Sequence, residues 1–417
     1  MGCLNRILTW LPSLNPQIWI LALGRFLSQT GTGFTLFYAP IFFVNQVGLS
    51  ATAVGIGIGS AQISGILGRI LGGSFSDSPV WGRRRTLLLS AVISAIASFI
   101  LASANNFSTV ILGNLFIGLG IGLYWPATEA VVADLTTGEN RNQAYALTRL
   151  ADNIGIQFGI ILGGVVISTT GAYRLLFVVD ALSFLVFYGV IFATIRETYQ
   201  PLADDSQHQN PTQKWFLALR DRRLLVFVII NILFTIYVSQ IHSTIPLYFN
   251  NFVDNGFSPG QISYLFAGHI ALSILFQLPV ANFLNRLTRP QALMVSSSFW
   301  GIGFLLIGLT GIVEKHHLIF ASLALAILAI AIVSYTPSAS ALVADIAPES
   351  RRGIYLAINA QCWAIGYLIG PPLGGWVLDQ TPQIVYNYWL VLAASIGVTI
   401  AMLQGLNRIL NSQKLNY

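Results

Sequence analysis

The stretch VVADLTTGENR (131–141) closes a long apolar run with an acid and a short charged loop, and LVADIAPESRR (342–352) does nearly the same near the other end of the chain. The echo has a register. Val132 maps onto Val343 and Pro126 onto Pro337 at one offset of 211 residues, about half of the 417-residue chain. Across the loop Glu139 pairs with Glu349 and Arg141 with Arg351, one residue shorter; beyond it Gly159, Gly163 and Gly164 answer to Gly370, Gly374 and Gly375, again at 211. Matches held at one offset in two apolar runs, on either side of a loop shifted by one residue, indicate that one helical pattern is written twice.

Outward from these stretches, apolar runs of the roughly 20 residues that cross a bilayer recur from end to end. Twelve are predicted, near 17–42, 50–76, 86–104, 107–135, 143–170, 174–194, 223–250, 259–284, 290–312, 317–346, 352–379 and 384–406. The chain is 55% hydrophobic and 9% charged, where a soluble domain carries roughly 25% charged residues. The alternating ten-residue strands of a membrane barrel are not seen. The fold class is therefore an all-α polytopic membrane protein, with twelve transmembrane helices in two six-helix pseudo-repeats. The expected division is an N-terminal half over 1–195, a cytoplasmic linker over 196–223, which is the one long polar stretch, and a C-terminal half over 224–417. Parallel repeats with a site between them near the bilayer midplane are a transporter architecture.

A net charge of +6 and a pI near 9.4 could suggest a nucleic-acid partner, but the positions of the charges exclude it. With the N-terminus inside, sixteen of the 21 Lys and Arg residues fall on the cytoplasmic side, Arg83, Arg84, Arg85, Arg220, Arg222 and Arg223 among them. Only Arg174 and Lys315 fall outside, and Arg25, Arg69 and Arg149 lie within spans. That bias orients both termini toward the cytoplasm. The two cysteines, Cys3 and Cys362, imply no disulfide framework. No cleavable signal peptide is expected, because the first apolar run is too long and lacks a small-residue cleavage site. MGCLNR (1–6) lacks the Ser or Thr of a myristoylation motif.

Polar residues concentrate in particular spans. Spans 1, 2, 4 and 5 hold Arg25, Gln29, Gln62, Asn114, Glu129, Arg149, Asp152, Asn153 and Gln157, while spans 3, 6, 9 and 12 are almost bare apart from Asp180 near an outer end. In the second half Asn231, Gln240, His242, His269, Gln277, Asn359 and Gln361 stand in spans 7, 8 and 11. Such groups cost several kcal/mol each in lipid, so they are expected to face protein or a wet cavity. Spans 1, 2, 4, 5 and their repeat mates should line that interior, with every third span packed against lipid. Coupling to protons needs a carboxylate that is loaded on one side and released on the other. The candidates are Asp152, near the middle of span 5, and Glu129, about 7–8 Å deeper than Asp134 at helical rise. Arg149 and Asp152, spaced i, i+3, share a helix face, and Arg25 could pair with Glu129; static ion pairs are the alternative to switching ones. The polar and aromatic residues Gln29, Tyr124, Trp125, Asn153, Tyr237, Gln240, His242, His269, Tyr335, Asn359 and Trp363 are the candidate substrate-cavity residues, suited to an amphipathic or aromatic ligand.

At this point the chain resembles the major facilitator superfamily over essentially its whole length. GSFSDSPVWGRRR (73–85) is similar to the family signature G-x-x-x-D-[RK]-x-G-R-[RK]-[RK], with Gly73, Asp77, Gly82, Arg83 and Arg84 in the matching places. It departs in Ser78, where a base is usual, and in two extra residues before Gly82; the repeat mate PVANFLNRLTR (279–289) is degenerate, with Asn285 in place of the acid. The resemblance implies a cytoplasmic latch in which Asp77 and Arg83, Arg84 and Arg85 meet the acid ending span 4, Asp134, and in which Asp345 meets Arg286 or Arg289. GIQFGIILGG (155–164) and GYLIGPPLGG (366–375) resemble the antiporter signature G-x-x-x-G-P-x-x-G-G, through Gly155, Gly159, Gly163, Gly366, Gly370, Pro371 and Gly374, although only the second carries the Pro. Glycines at this spacing let helices approach closely.

The resemblance implies proton-coupled export of small amphipathic compounds by alternating access, as in the drug:proton antiporter (multidrug exporter) branch, in the plasma (inner) membrane. Uptake or facilitated diffusion of a specific solute is the alternative within transport, and a non-transporting sensor or lipid scramblase the alternative outside it. The expected partners are a small-molecule substrate, protons and the lipid bilayer, with no nucleic acid, no cofactor and no metal, in a monomer. G-x-x-x-x-G-K-[ST] and H-E-x-x-H are absent, so no ATP-driven or metalloprotease chemistry is expected and the chain is not read as an enzyme.

Overall fold

A computed structural model describes residues 14–136, 139–199, 216, 218–253, 256–284, 286–348 and 352–414. Cys3, Asn285, Glu349, Arg351 and most of the 196–223 linker lie outside the described residues. Fourteen helices are described: α1 (Pro16–Leu36), α2 (Tyr38–Asn45), α3 (Ala51–Ser76), α4 (Gly82–Ser103), α5 (Phe107–Asp134), α6 (Glu139–Thr170), α7 (Tyr173–Thr194), α8 (Arg222–His242), α9 (Thr244–Asn251), α10 (Pro259–Leu284), α11 (Arg289–Thr310), α12 (His317–Ile346), α13 (Arg352–Leu378) and α14 (Pro382–Lys414).

These are twelve spans, because α1 with α2 and α8 with α9 are each one span broken at a single residue. The breaks, at Phe37 and Ser243, were not expected from hydropathy, yet the sequence carries their cause. A proline removes one helical N–H and crowds the carbonyl four residues earlier. Pro40 does this to Leu36 and Pro246 to His242, the last residues of α1 and α8. Starts are equally local. Asn15, Asn106 and Asp221 accept from backbone N–H groups of the first turns of α1, α5 and α8, and Thr288 with Gln291 forms a capping box for α11. Ten of the helices are long and apolar enough to cross a membrane by composition. Neither α1, with Arg25 and Gln29, nor α13, with Asn359 and Gln361, is among them.

The helices form two units, residues 1–38 with 60–204 and residues 39–59 with 205–417. Within the first, α1 packs on α6 and α7, and α4 on α5 and α7. Within the second, α8 packs on α13 and α14, and α11 on α12 and α14. The 211-residue repeat of sequence is thus a repeat of helix pairing.

The first turn of α3 belongs to the second unit and is fastened there to the C-terminal end of α13. Asp379 accepts from the backbone N–H groups of Ala51 and Thr52, each at 2.8 Å, and from the Thr52 hydroxyl. Gly55 and Gly375 permit the contact: a Cβ on Gly55 would lie 2.2 Å from the Pro371 carbonyl oxygen, and one on Gly375 2.2 Å from that of Ala51. Asp379→Ala should cost about 1 kcal/mol, the usual loss of an N-cap carboxylate, read as a fall in the thermal midpoint of the purified protein.

Candidate functional site

The site is built where α1 and α6 touch backbone to backbone. A Cβ on Gly155 would lie 2.4 Å from the Phe26 carbonyl oxygen, one on Gly159 2.0 Å from that of Thr30, and one on Gly33 2.3 Å from that of Ile156. Glycines on both sides bring the helices close enough for Arg25 of α1 to meet Asp152 of α6, one turn from Gly155. The pair is bidentate: Arg25 Nε donates to Asp152 Oδ1 at 2.9 Å, and Nη2 donates to Oδ2. Arg25 is 2% and Asp152 6% exposed. The guanidinium also lies over the rings of Tyr124 and Trp125 of α5, 5.6 and 5.5 Å from their centroids. Fork-to-fork geometry and two aromatic faces are what guanidinium chemistry favours where the charge is buried.

This pairing corrects the sequence expectation. Asp152 is neutralised by Arg25 on another helix and not by Arg149 at i−3, while Arg149 turns to Glu129 at 3.8 Å, with side chains 69% and 50% exposed. The physical reason is burial. The short i, i+3 spacing offers little to a group that can reach a fork donor held rigidly in the core, and Arg149 keeps its charge on an exposed face.

Beside the pair lies a cavity of about 150 Å³ lined by Ser28, Gln29 and Thr32 of α1, Ser90, Ala91 and Ser94 of α4, Ile121, Tyr124 and Trp125 of α5, and Phe184 and Phe187 of α7. Of the candidate cavity residues in the first unit it unites Gln29, Tyr124 and Trp125; Asn153 stands exposed on α6. Spans 3 and 6, expected to be lipid packing, supply much of the wall. Span 3 does so through Ser90 and Ser94, which hydropathy barely registers, and span 6 through Phe184 and Phe187. At roughly 30 Å³ per water this volume suits a few waters, below the roughly 300 Å³ at which pockets for drug-sized ligands begin.

At one end of the unit the charged loop closes on itself. Arg83 donates from Nη1 to Asp77 Oδ1 at 2.6 Å and to the Ser76 carbonyl, and from Nε to Asp134 Oδ2 at 3.2 Å. Arg84 and Arg85 were expected in the same cluster, but they donate to the carbonyls of Phe192 and Val80. Sequence reasoning missed Glu197, whose carboxylate accepts from the Arg83 and Arg84 N–H groups at the start of α4. Its signal was an acid in RET (196–198) directly after a span. Gly82 is required there, with φ +70° and a Cβ position only 2.3 Å from that carboxylate; Gly73 faces open space. Arg83→Ala, removing two carboxylate contacts from a mostly buried guanidinium, should lower stability by about 1–2 kcal/mol. Arg84→Ala should cost less, and thermal denaturation of the two side by side checks the order.

In the second unit the candidates are largely engaged by protein. Asn231 donates to Asn359 at 2.9 Å and accepts from the Tyr335 hydroxyl at 2.6 Å, and Trp363 packs against Tyr335 and Tyr367. Gln240 is fully buried, bonded to the Gly370 carbonyl, Thr244 and Tyr388; Tyr237 bonds Ser395 and Thr399 inside an aromatic cluster with Trp300 and Phe304. His242 Nδ1 meets the Tyr367 hydroxyl at 2.6 Å, and His269 Nδ1 the Leu325 carbonyl at 2.8 Å. Asp345 pairs loosely with Arg289 at 3.4 Å, the second of its two expected partners, and not with Arg286. Gly366, Gly370 and Gly374 sit against Thr235, Ser239 and Thr244, while Gly163 sits against Tyr38 in the first unit. Among the described residues no three His, Cys, Asp or Glu side chains are grouped to hold a metal ion.

A family model described as Major Facilitator Superfamily matches residues 21–255 and 245–408. The chain is similar to a Na(+), Li(+), K(+)/H(+) antiporter of Planococcus maritimus, 23% identical over 94% of this chain and 96% of that one. It is also similar to the multidrug resistance protein MdtH of Klebsiella pneumoniae (strain 342), 24% identical over 87% of each. Among solved structures, that of a mutant of the nucleoside transporter NupG superposes with a TM-score of 0.79 at 17% identity, over 94% of this chain and 99% of that one, a likeness of fold.

Proposed function

This chain belongs to the Major Facilitator Superfamily, and we propose that within it the protein is a proton-coupled exporter of small amphipathic compounds, working by alternating access from the inner membrane with both termini cytoplasmic. The observation that carries the reading is the buried Arg25–Asp152 pair on its aromatic bed. A pair of this kind is a poor stabilising device, since apolar residues of similar volume commonly do as well. Inside a membrane it marks an ion or proton path by default. A proton arriving on Asp152 discharges the pair and frees the guanidinium; its departure restores the pair. Two states of charge give a binding event something to select between. The charged cluster of Arg83 with Asp77, Asp134 and Glu197 is the latch that biases this cycle at the other level of the first unit.

The antiporter and multidrug relatives support export and proton exchange, both at low identity. The test uses inside-out vesicles carrying the protein, with an acidified lumen and ethidium as the probe. Ethidium should accumulate, and a protonophore should abolish the accumulation. If vesicles with folded protein show none, the exporter reading fails, and uptake of a specific solute replaces it.

A further inference from the structure

The first unit holds a second buried acid that the proposed cycle does not use. Asp180 of α7 is 3% exposed. The Ser98 hydroxyl of α4 donates to its Oδ2 at 2.7 Å, and its Oδ1 is buried without a hydrogen-bond partner. Oδ1 lies beside Gly31 of α1, where a Cβ would be 2.8 Å from it and 2.0 Å from the Ser183 hydroxyl.

The charged and titratable groups described on the helices packed around Asp180 have partners elsewhere or stand toward helix ends. On α1 there is Arg25, forked onto Asp152. On α4 there are Arg83, Arg84 and Arg85, in the first turn and about 20 Å from Ser98 at helical rise. On α6, Asp152 is held by Arg25, Arg149 by Glu129, and Arg141 by the carbonyls of Ala133 and Thr136; Tyr145 donates to the Glu129 carbonyl, and Glu139 opens the helix. On α7 itself Tyr173 opens the helix, Tyr188 stacks on Phe192, and Arg174 is bound to the Ala102 and Ala104 carbonyls and to Asn105. An ionised carboxylate at Asp180 would therefore face one hydroxyl dipole and no counter-charge, in a setting where unpaired charge is strongly disfavoured.

Hydroxyls stand between the acid and the cavity. Ser90, Ser94 and Ser98 stand at i, i+4 and i+8 on one face of α4. Ser90 and Ser94 line the 150 Å³ cavity, and Ser98, one turn further, touches the acid. A stripe of hydroxyls thus runs from a space able to hold water to a carboxyl with one free oxygen. We propose that Asp180 is a proton-binding site, neutral in this conformation, loaded and emptied through the Ser90–Ser94–Ser98 stripe. Its part in coupling rests on the exporter reading above, whereas its protonation does not.

The test separates the two. Infrared spectra of the purified protein in lipid nanodiscs should show the carbonyl stretch of a protonated carboxyl group at neutral pH. Asp180→Asn, close to isosteric, should remove the band, and Ser98→Ala should shift its frequency by removing the hydrogen bond to Oδ2. A band absent from the wild type, or intact in Asp180→Asn, overturns the proposal. In the vesicle assay Asp180→Asn should lose gradient-driven ethidium accumulation; wild-type accumulation in that variant overturns the coupling role. If the wild type itself moves no ethidium, the exporter reading falls, and the infrared result still decides the proton site.

Discussion

Asp152→Asn is expected to abolish gradient-driven transport and to destabilise the protein by about 3–5 kcal/mol, the usual penalty for removing one partner of a buried ion pair. The penalty arises from what is left behind. Arg25 is 2% exposed, with Asp152 as its bidentate acceptor, and the rings of Tyr124 and Trp125 cannot replace a carboxylate. The double variant Arg25→Gln with Asp152→Asn removes both charges and should recover most of the lost stability while remaining inactive. Glu129→Gln is the contrast: that side chain is 50% exposed and 3.8 Å from Arg149, so its removal should stay within about 1 kcal/mol. Thermal unfolding in detergent, run beside the vesicle assay, reads both quantities. Recovery of transport in the double variant would show that the pair is only structural.

Gly159→Ala carries the second large effect. Its new methyl would sit 2.0 Å from the Thr30 carbonyl oxygen, backbone that cannot swing aside as a side chain can. Overpacking of this kind costs roughly 1–3 kcal/mol. Forcing α1 from α6 would also lengthen the Arg25–Asp152 contact, so transport should fall further than stability alone explains. Gly189→Ala on α7 meets nothing within 4 Å and should be neutral or stabilising by up to about 1 kcal/mol, as expected for Ala over Gly inside a helix. The two thermal midpoints, measured together, test the close approach directly. Equal midpoints would mean that α1 and α6 do not meet at Gly159.

The chain's helices were legible because the bilayer permits few solutions. Backbone groups must be satisfied within a segment, so each span announces itself by length and hydropathy, and the expected boundaries fall within a few residues of those found over most of the chain. The 211-residue echo announced two halves of one pattern, and the structure adds that α1 packs on α6 as α8 packs on α13. The breaks at Phe37 and Ser243 were not foreseen: Pro40 and Pro246 explain them, but Pro126, Pro279, Pro337, Pro371 and Pro372 stand inside unbroken helices, so a proline alone does not mark where a span divides.

Partner choice was not legible. Arg25 and Asp152 are 127 residues apart, and nothing local in either neighbourhood favours that pairing over Arg149 with Asp152. It was decided by backbone approach at Gly33, Gly155 and Gly159, which sets which side chains share a dry space. Asp180 and Glu197 were passed over for the same reason. Each takes its meaning from groups far off in sequence, Ser98 for one and the N–H groups of Arg83 and Arg84 for the other. The sequence by itself determined where the chain crosses the membrane and that it does so as two copies of one pattern, because burial of the backbone in lipid is a local demand. Tertiary structure alone decided which buried charges are paired and which acid stands without a cation, because that depends on distances between helices that no single helix encodes.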